Sequence, residues 1–313
     1  MGVKIVIAFL FLANLLGYTQ TDSITNSYHK EYKEKMSLQL FGLNTSNKFN
    51  FIYNENNLEI ELIPNQKTTI GLAFKYDFLA FSFGFAPHFL AENRDNENSK
   101  MFSFGTDFVL KKVVQHINFF YQKGIQAEAS NGNTVYFEKL KTIKLGGTTT
   151  YLFNPNFSYN ALNFQNARQI KSVGTFGASL DYYFTTLDGR KQQQLNSKYD
   201  AFDVTIGPSY LYNWVIANYI LVAPEVSFGM GFTKYKDDNL KNISVLYKAG
   251  LNLTLGYNSD NLYGGIKTRS IALNHKSEGN VDMSDNINFT SIFLGYRFDA
   301  SNSIKKQINK LKF

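Results

Sequence analysis

Cysteine is absent from this chain of 313 residues, and proline and tryptophan are scarce, with five copies and one. Without cysteine there is no disulfide, no thiolate metal site, no cysteine nucleophile and no lipidated cysteine of a bacterial lipoprotein. After the first twenty residues, no stretch approaches the roughly 20 apolar residues of a transmembrane helix. Phosphate-binding glycine loops, zinc-ligand spacings and nucleotide fingerprints are missing too. We therefore expect no cofactor and no bound metal.

The formal net charge of +7 is concentrated at the two ends of the chain. Lys4 and four lysines near the C-terminus supply five of these charges, the four being Lys305, Lys306, Lys310 and Lys312. The remaining two charges do not form a basic surface that would indicate a nucleic-acid partner.

The first twenty residues are typical of an export signal. Lys4 provides a positive start, residues 5–16 are apolar except for Asn14, and residues 17–20 offer small side chains for cleavage. The apolar run is too short for a membrane anchor, and it lacks the amphipathic pattern of a buried helix. We predict a signal peptide at 1–19.

Alternation of apolar and polar residues dominates the rest of the chain, and residues 245–257 show it best. Side chains at odd positions there are apolar or aromatic, and all but one at even positions are small or polar. A strand places successive side chains on opposite faces, so the pattern predicts one apolar and one polar face. The same pattern recurs up to Phe298, in a chain with 20 Tyr and 29 Phe.

Two architectures fit such strands. A soluble β-sandwich buries its apolar faces, whereas a membrane barrel turns them to lipid and lines its lumen with polar residues. The polar faces carry mainly Gly, Ser, Thr and Asn, and Tyr and Phe at strand ends resemble the aromatic girdles of membrane barrels. We predict an all-β fold, a transmembrane antiparallel up-and-down β-barrel with an even number of about 12–14 strands.

The predicted organisation is a polar lead-in at 20–34, a barrel at 35–298 and a basic tail at 299–313. Long connectors are expected at 88–99, 126–137, 186–200, 236–242 and 274–286, and short ones at 154–156, 215–217 and 258–260. Strict alternation of long and short connectors fails once, within 164–200. The tail has helical spacing and is either a periplasmic latch or a solvated end.

Several motifs resemble an uncharacterised family of Bacteroidetes outer-membrane β-barrel proteins, defined by a domain of unknown function. The matching residues are Pro64 and Asn65, Gly71, Lys75 and Tyr76, Gly84, Gln169, residues 171–176, Gly207, Pro208 and Tyr210, and residues 295–298. The resemblance covers about residues 35–298. It implies an outer-membrane barrel and brings no catalytic residues.

Charged residues on the predicted lumen faces are the candidate site. An acidic wall contains Asp181, Asp203 and Glu225, and a basic wall contains Lys248, Lys267, Arg269 and Arg297. Opposed walls would orient polar solutes in a water-filled pore. The alternative is that the charges pair across a narrow lumen and seal it.

The preferred functional prediction is a passive channel or transporter for small polar solutes, and the alternative is a closed barrel that serves as a structural or surface-binding scaffold. A membrane-embedded lipid hydrolase ranks third, because His29, His88, His116 and His275 show no spacing to a serine and an acid that would form a triad. We expect the outer membrane of a Gram-negative bacterium as the location. Its lipids, lipopolysaccharide and the barrel-assembly machinery are the expected partners.

Overall fold

The computed structural model describes residues 27–55, 58–64, 67–76, 79–90, 99–193, 195–236, 241–276 and 281–301. The predicted signal peptide and most of the basic tail lie outside these ranges. The strands within them are β1 (His29–Glu31), β2 (Lys35–Tyr53), β3 (Leu58–Pro64), β4 (Lys67–Tyr76), β5 (Leu79–Phe85), β6 (Lys100–Leu110), β7 (Val113–Ala129), β8 (Thr134–Leu152), β9 (Ala167–Gln169), β10 (Val173–Asp188), β11 (Lys198–Ile216), β12 (Ile220–Lys236), β13 (Lys241–Asn258), β14 (Leu262–Lys276) and β15 (Val281–Asp299).

Ten of the described strands close into one antiparallel barrel. The order around the ring is β2, β3, β7, β8, β10, β11, β12, β13, β14 and β15, and β15 returns to β2 along the whole length of both strands. The predicted barrel is confirmed, but the predicted 12–14 strands are too many. The sequence pattern also counted β4, β5 and β6, which alternate like barrel strands and lie outside the closed ring.

These three strands widen one half of the barrel. β3 pairs with one part of β2, from Phe49 to Tyr53, and β4 pairs with another, from Met36 to Thr45. On the far side, β3 pairs with the end of β7, whereas β6 pairs with its first part, from Val113 to Lys123. The hairpin of β4 and β5 therefore enters the wall only near the end of the barrel that contains the start of β2.

We call this the turn end, because the connections 111–112, 217–219 and 259–261 lie there. The opposite, loop end has shorter connections than predicted, such as 130–133 in place of 126–137 and 277–280 in place of 274–286. Strands of 15–19 residues explain the difference, since a tilted strand needs only about 9–11 residues to cross a bilayer. The polar segments expected as loops continue the strands beyond the membrane.

The apolar strand faces point outward, as the sequence predicts for a membrane barrel. Exposed outer side chains at mid-height include Leu180, Ile206, Phe228 and Leu251. Aromatic side chains ring the outer surface at the turn end: Tyr151, Phe153, Phe176, Tyr210, Trp214, Tyr219, Tyr257 and Tyr296. No helix in the described ranges is long and apolar enough to span a membrane.

The connection 153–172, between β8 and β10, accounts for the predicted break in loop alternation. It lies at the turn end, where short connections were expected, and contains a 3₁₀ helix, Tyr159–Asn163, where the sequence pattern suggested a strand. Because Ala161, Leu162 and Phe164 are buried, this segment folds into the barrel and does not extend from it. We call residues 153–172 the plug.

Candidate functional site: the closed lumen

The lumen is filled with side chains over most of its height. At the turn end, Phe157, Leu162 and Phe164 of the plug pack against inward-facing strand residues, including Leu211 and Phe293. A second buried cluster lies further along the lumen and contains Phe120, Tyr183, Leu246, Ile271, Leu273 and Ile287. A third, at the loop end, contains Phe49, Leu62, Ile125, Ala127 and Leu140. A ten-stranded barrel is narrow enough for side chains to fill it in this way.

Asp181 and Lys248, predicted on opposite walls, meet inside the lumen. The Lys248 Nζ donates to Asp181 Oδ1 at 2.6 Å, and both side chains are buried. Two hydroxyls complete the carboxylate's partners, since Thr148 Oγ1 donates to Oδ1 at 2.6 Å and Thr205 Oγ1 to Oδ2 at 3.1 Å. A buried ion pair needs such extra hydrogen bonds to offset its desolvation. The pair links β10 to β13 across the lumen.

Asp203 pairs with a residue that the sequence pattern assigned to a loop. His275 lies on β14 and is buried, with its Nε2 3.1 Å from Asp203 Oδ1. Thr233 Oγ1 donates to the same carboxylate oxygen at 2.5 Å. The loop assignment of His275 is wrong because β14 continues beyond the predicted strand end. Asp203 therefore faces a histidine and a hydroxyl, and no member of the predicted basic wall is its ion-pair partner among the described residues.

A second buried ion pair joins Lys144 on β8 to Asp285 on β15, and neither residue was predicted as part of the site. Asn47 Nδ2 donates to the other oxygen of Asp285 at 2.5 Å. The Lys144 Nζ also donates to Thr185 Oγ1 at 3.2 Å and lies over the Tyr183 ring. Lys144 occupied a polar-face position of a predicted strand, whereas Asp285 was predicted in the connector 274–286. The two buried ion pairs and the contact between Asp203 and His275 agree with the sealed alternative for the lumen.

Strand side chains hold the plug by polar contacts. Asn213 Nδ2 donates to Ser158 O at 3.2 Å and to Gln169 Oε1 at 3.0 Å. Asn258 Nδ2 donates to Ala167 O at 3.1 Å, and Lys267 Nζ donates to Asn163 Oδ1 at 2.7 Å. These contacts come from β11, β13 and β14, so the plug is fixed to a broad part of the barrel wall. Lys267, predicted in the basic wall, is an anchor of the plug.

Arg297 is the central anchor. Its guanidinium donates to three carbonyl oxygens, those of Phe164, of Gln165 at 2.9 Å and of Ser259 at 2.5 Å. It also donates to Asn258 Oδ1 at 2.6 Å. The side chain is fully buried, and its Cζ lies 4.2 Å from the centre of the Tyr32 ring and 4.6 Å from that of Tyr263. A planar guanidinium suits both stacking and several fixed acceptors. Arg297 therefore clamps the plug, and it does not line a solute path.

The end of the predicted polar lead-in is folded and covers the plug. β1 pairs with β9 of the plug, from His29 opposite Gln169 to Glu31 opposite Ala167. Tyr32 OH and Lys30 Nζ donate to Asp260 Oδ1 at 2.8 and 3.1 Å. We call residues 27–34 the N-terminal cover.

Asp260 lies in the turn between β13 and β14, outside the membrane-spanning strands. Burial raises the pKa of its carboxyl. The hydrogen bonds from Tyr32 and Lys30, with the nearby Arg168, outweigh burial and lower the pKa below its usual value. The carboxylate is therefore the charged form that the N-terminal cover stabilises.

The remaining predicted charges gather between the plug and the second apolar cluster. Asp107 on β6 bonds to His116 on β7 and lies within electrostatic reach of Lys267 and Arg269. Glu225 on β12 lies within reach of the same two cations. His116 also faces the lumen. We call Asp107, His116, Glu225, Lys267 and Arg269 the charged chamber. Its action on a solute stays a prediction.

A family model described as a domain of unknown function, DUF4421, matches residues 20–298. The chain belongs to this family. The resemblance to a family defined by a domain of unknown function is thereby confirmed, and two of its motifs now have structural roles. Gln169 anchors the plug to Asn213 and to the N-terminal cover, and Arg297 is the clamp. No curated protein matches the chain.

Solved structures with a similar architecture include three outer-membrane barrels. The outer membrane protease OmpT from Escherichia coli is 9% identical, with 90% of this chain and 100% of that chain covered and a TM-score of 0.41. OprG from Pseudomonas aeruginosa is 11% identical, with 86% of this chain and 99% of that chain covered and a TM-score of 0.27. The β domain of the Bordetella autotransporter BrkA is 11% identical, with 83% of this chain and 99% of that chain covered and a TM-score of 0.38. At these values the likeness is one of architecture and carries no argument about activity.

Proposed function

We propose that the protein is a closed barrel of the outer membrane that acts as a structural or binding scaffold. The observation that carries this proposal is the double closure of the lumen by the plug and by buried polar pairs, two of them ion pairs and one the contact between Asp203 and His275. Outward apolar faces and an aromatic ring support the membrane location. Lipids, lipopolysaccharide and the barrel-assembly machinery remain the proposed partners. The order of the two leading predictions from sequence is thereby reversed, and no catalytic role is proposed.

Single-channel conductance in a planar bilayer tests the closure directly. A heat-dependent gel shift first establishes that the sample is a folded barrel. We expect no steady conductance from the wild type, because polar solutes meet apolar clusters at several depths. Steady conductance from the folded wild type would contradict the proposal.

A matched pair of variants locates the closure. The triple variant Asn213→Ala, Lys267→Ala and Arg297→Ala removes plug anchors, and we expect it to conduct intermittently while it remains folded. The control triple variant Lys48→Ala, Arg190→Ala and Lys276→Ala removes charges of the loop end and should stay silent. Equal silence in both triples would show that the plug is not the sole barrier and that the apolar clusters of the strands close the lumen without it.

A gated channel for small polar solutes is the second candidate. It is favoured by Lys267, which both anchors the plug and belongs to the charged chamber, so that release of the plug would free a lumen cation. In the plug-release triple variant, we expect Arg269→Gln to shift selectivity toward cations. Unchanged selectivity in a conducting sample would exclude the charged chamber from the conduction path.

A further inference from the structure

The wall of the barrel is interrupted in its turn-end half. Among the described residues, β5 pairs only with β4 and β6 only with β7, so that each has one edge without a strand partner. The two strands follow each other in the chain, and both lie between the turn-end parts of β2 and β7. We call the space between these two edges the seam. Open edges in hydrocarbon are unfavourable because each unpaired polar backbone group costs several kcal/mol.

The seam gives access to the lumen. Ser82 and Gly84 of β5 and Gly105 of β6 occupy the face that points inward, and all three are exposed. Inward residues of intact wall, such as Ser179 and Thr205, are buried. The outward face of β5 and β6 is formed by the neighbouring residues in each strand, so the exposure of these three positions is on the lumen side. A group of the size of a water molecule therefore reaches the lumen side of β5 and β6.

The outer borders of the seam are unusually apolar. Exposed phenylalanines point outward on both strands: Phe81, Phe83 and Phe85 on β5, and Phe102, Phe104 and Phe108 on β6. Phe83 has 78% of its surface exposed, the largest fraction among the exposed large hydrophobic residues described. These borders are suited to an alkyl chain, whereas a free polar solute would gain nothing from them.

The charged chamber lies behind the seam and has unused hydrogen-bonding capacity. Asp107 of β6 is within electrostatic reach of Lys75 of β4, as well as of Lys267 and Arg269. Three cations therefore face Asp107 and Glu225. The Arg269 Nε and the Oδ1 of Asn252, which is its neighbour on β13, are buried without a hydrogen-bond partner in the described chain. A buried guanidinium N–H without an acceptor is unfavourable, so a bound group that accepts its hydrogen bond would stabilise it.

We propose that the seam is a lateral binding site for a membrane amphiphile with an anionic head group and a long alkyl chain. The head group enters the charged chamber and accepts hydrogen bonds from Arg269 and Lys267, while the chain lies between the phenylalanine borders. A polar head group in the seam also gives the open strand edges a partner that hydrocarbon does not provide. Lys267 also anchors the plug through Asn163, so the site adjoins the closure of the lumen, but it does not depend on whether the barrel conducts.

Photolabelling in neutral phosphatidylcholine nanodiscs tests the site. The probe is a diazirine-bearing long-chain carboxylate, and its methyl ester is the uncharged comparison. We expect the carboxylate to label peptides that contain 79–85 and 100–110, and the ester to label them much less. The double variant Lys267→Gln and Arg269→Gln should lower carboxylate labelling about tenfold, since it removes both charged hydrogen-bond donors to the head group. Lys276→Gln, on the same strand at the loop end, should label like the wild type.

Closing the seam provides the decisive variant. Because the chain has no cysteine, Ser82→Cys with Gly105→Cys creates the only pair of thiols, which is treated with bis-maleimides of graded length. The unbridged pair should label like the wild type and the bridged pair should not, with the heat-dependent gel shift confirming a folded barrel in both. Equal labelling of the bridged and unbridged samples, or of carboxylate and ester, would overturn the proposal.

Discussion

At the scale of single residues, the closure depends on a few buried charges whose removal should have large effects. Arg297 satisfies three backbone carbonyls and Asn258, which all lose a partner together if the guanidinium is removed. We expect Arg297→Ala to lower the free energy of unfolding by about 3 kcal/mol or more, because hydrogen bonds to charged groups are among the strongest. Urea unfolding in lipid vesicles, followed by the heat-dependent gel shift, measures this. Arg297→Lys keeps the positive charge but lacks the planar guanidinium with its several N–H donors. It should therefore recover only part of the lost free energy of unfolding.

The pair of Asp181 and Lys248 allows a sharper test at the same scale. Lys248→Met leaves a buried carboxylate without its cation, which should destabilise the barrel by about 3–5 kcal/mol. The double variant Lys248→Met with Asp181→Asn removes both charges and should be less destabilised than Lys248→Met alone. The same urea titration gives the free energy of unfolding of the wild type, of Lys248→Met, of Asp181→Asn and of the double variant. Additive losses from the two substitutions would mean that the ion pair contributes no coupling.

At the scale of elements, the N-terminal cover should respond to acid. The pKa of Asp260 is lowered in the folded state, so its contribution is fully present above the ordinary value of about 3.9 and is lost as the pH falls through the lowered value. We expect residues 27–34 to become sensitive to an acid-active protease only below about pH 4. Asp260→Asn should make the cover labile at neutral pH and remove this pH dependence. A cover that opens at the same pH in both proteins would exclude Asp260 as the cause.

The plug shows why sequence patterns fail at this scale. Alternation reports which face a strand residue occupies, but residues 153–172 have no period that would indicate where a connection folds. Of their anchors on the strands, Asn213 looked like an ordinary small lumen residue, and Asn258 was predicted in the connector 258–260. Gln169 and Arg297 were noted only as parts of a family resemblance. Their partners lie far away in sequence, so only the closed ring brings them together.

At the scale of the whole molecule, the single tryptophan reports how the barrel sits in a bilayer. Trp214 is 52% exposed and belongs to the aromatic ring at the turn end. We expect bromines placed near the head groups to quench its fluorescence more than bromines near the bilayer centre, because aromatic girdles lie at the interface. In a Trp214→Phe background, Phe228→Trp at mid-height should show the opposite order. The same order in both proteins would contradict the proposed membrane position.

Alternation in the sequence predicted the barrel and its outward apolar faces, because the face that a strand residue occupies is a local property with a period of two. It could not give the number of closed strands, since β4, β5 and β6 alternate as ring strands do but pair only at one end. The tertiary structure alone decided which charges meet, that Arg297 clamps a plug, and that a seam remains between β5 and β6. Those outcomes depend on strand order and register, which join residues that are far apart in the chain.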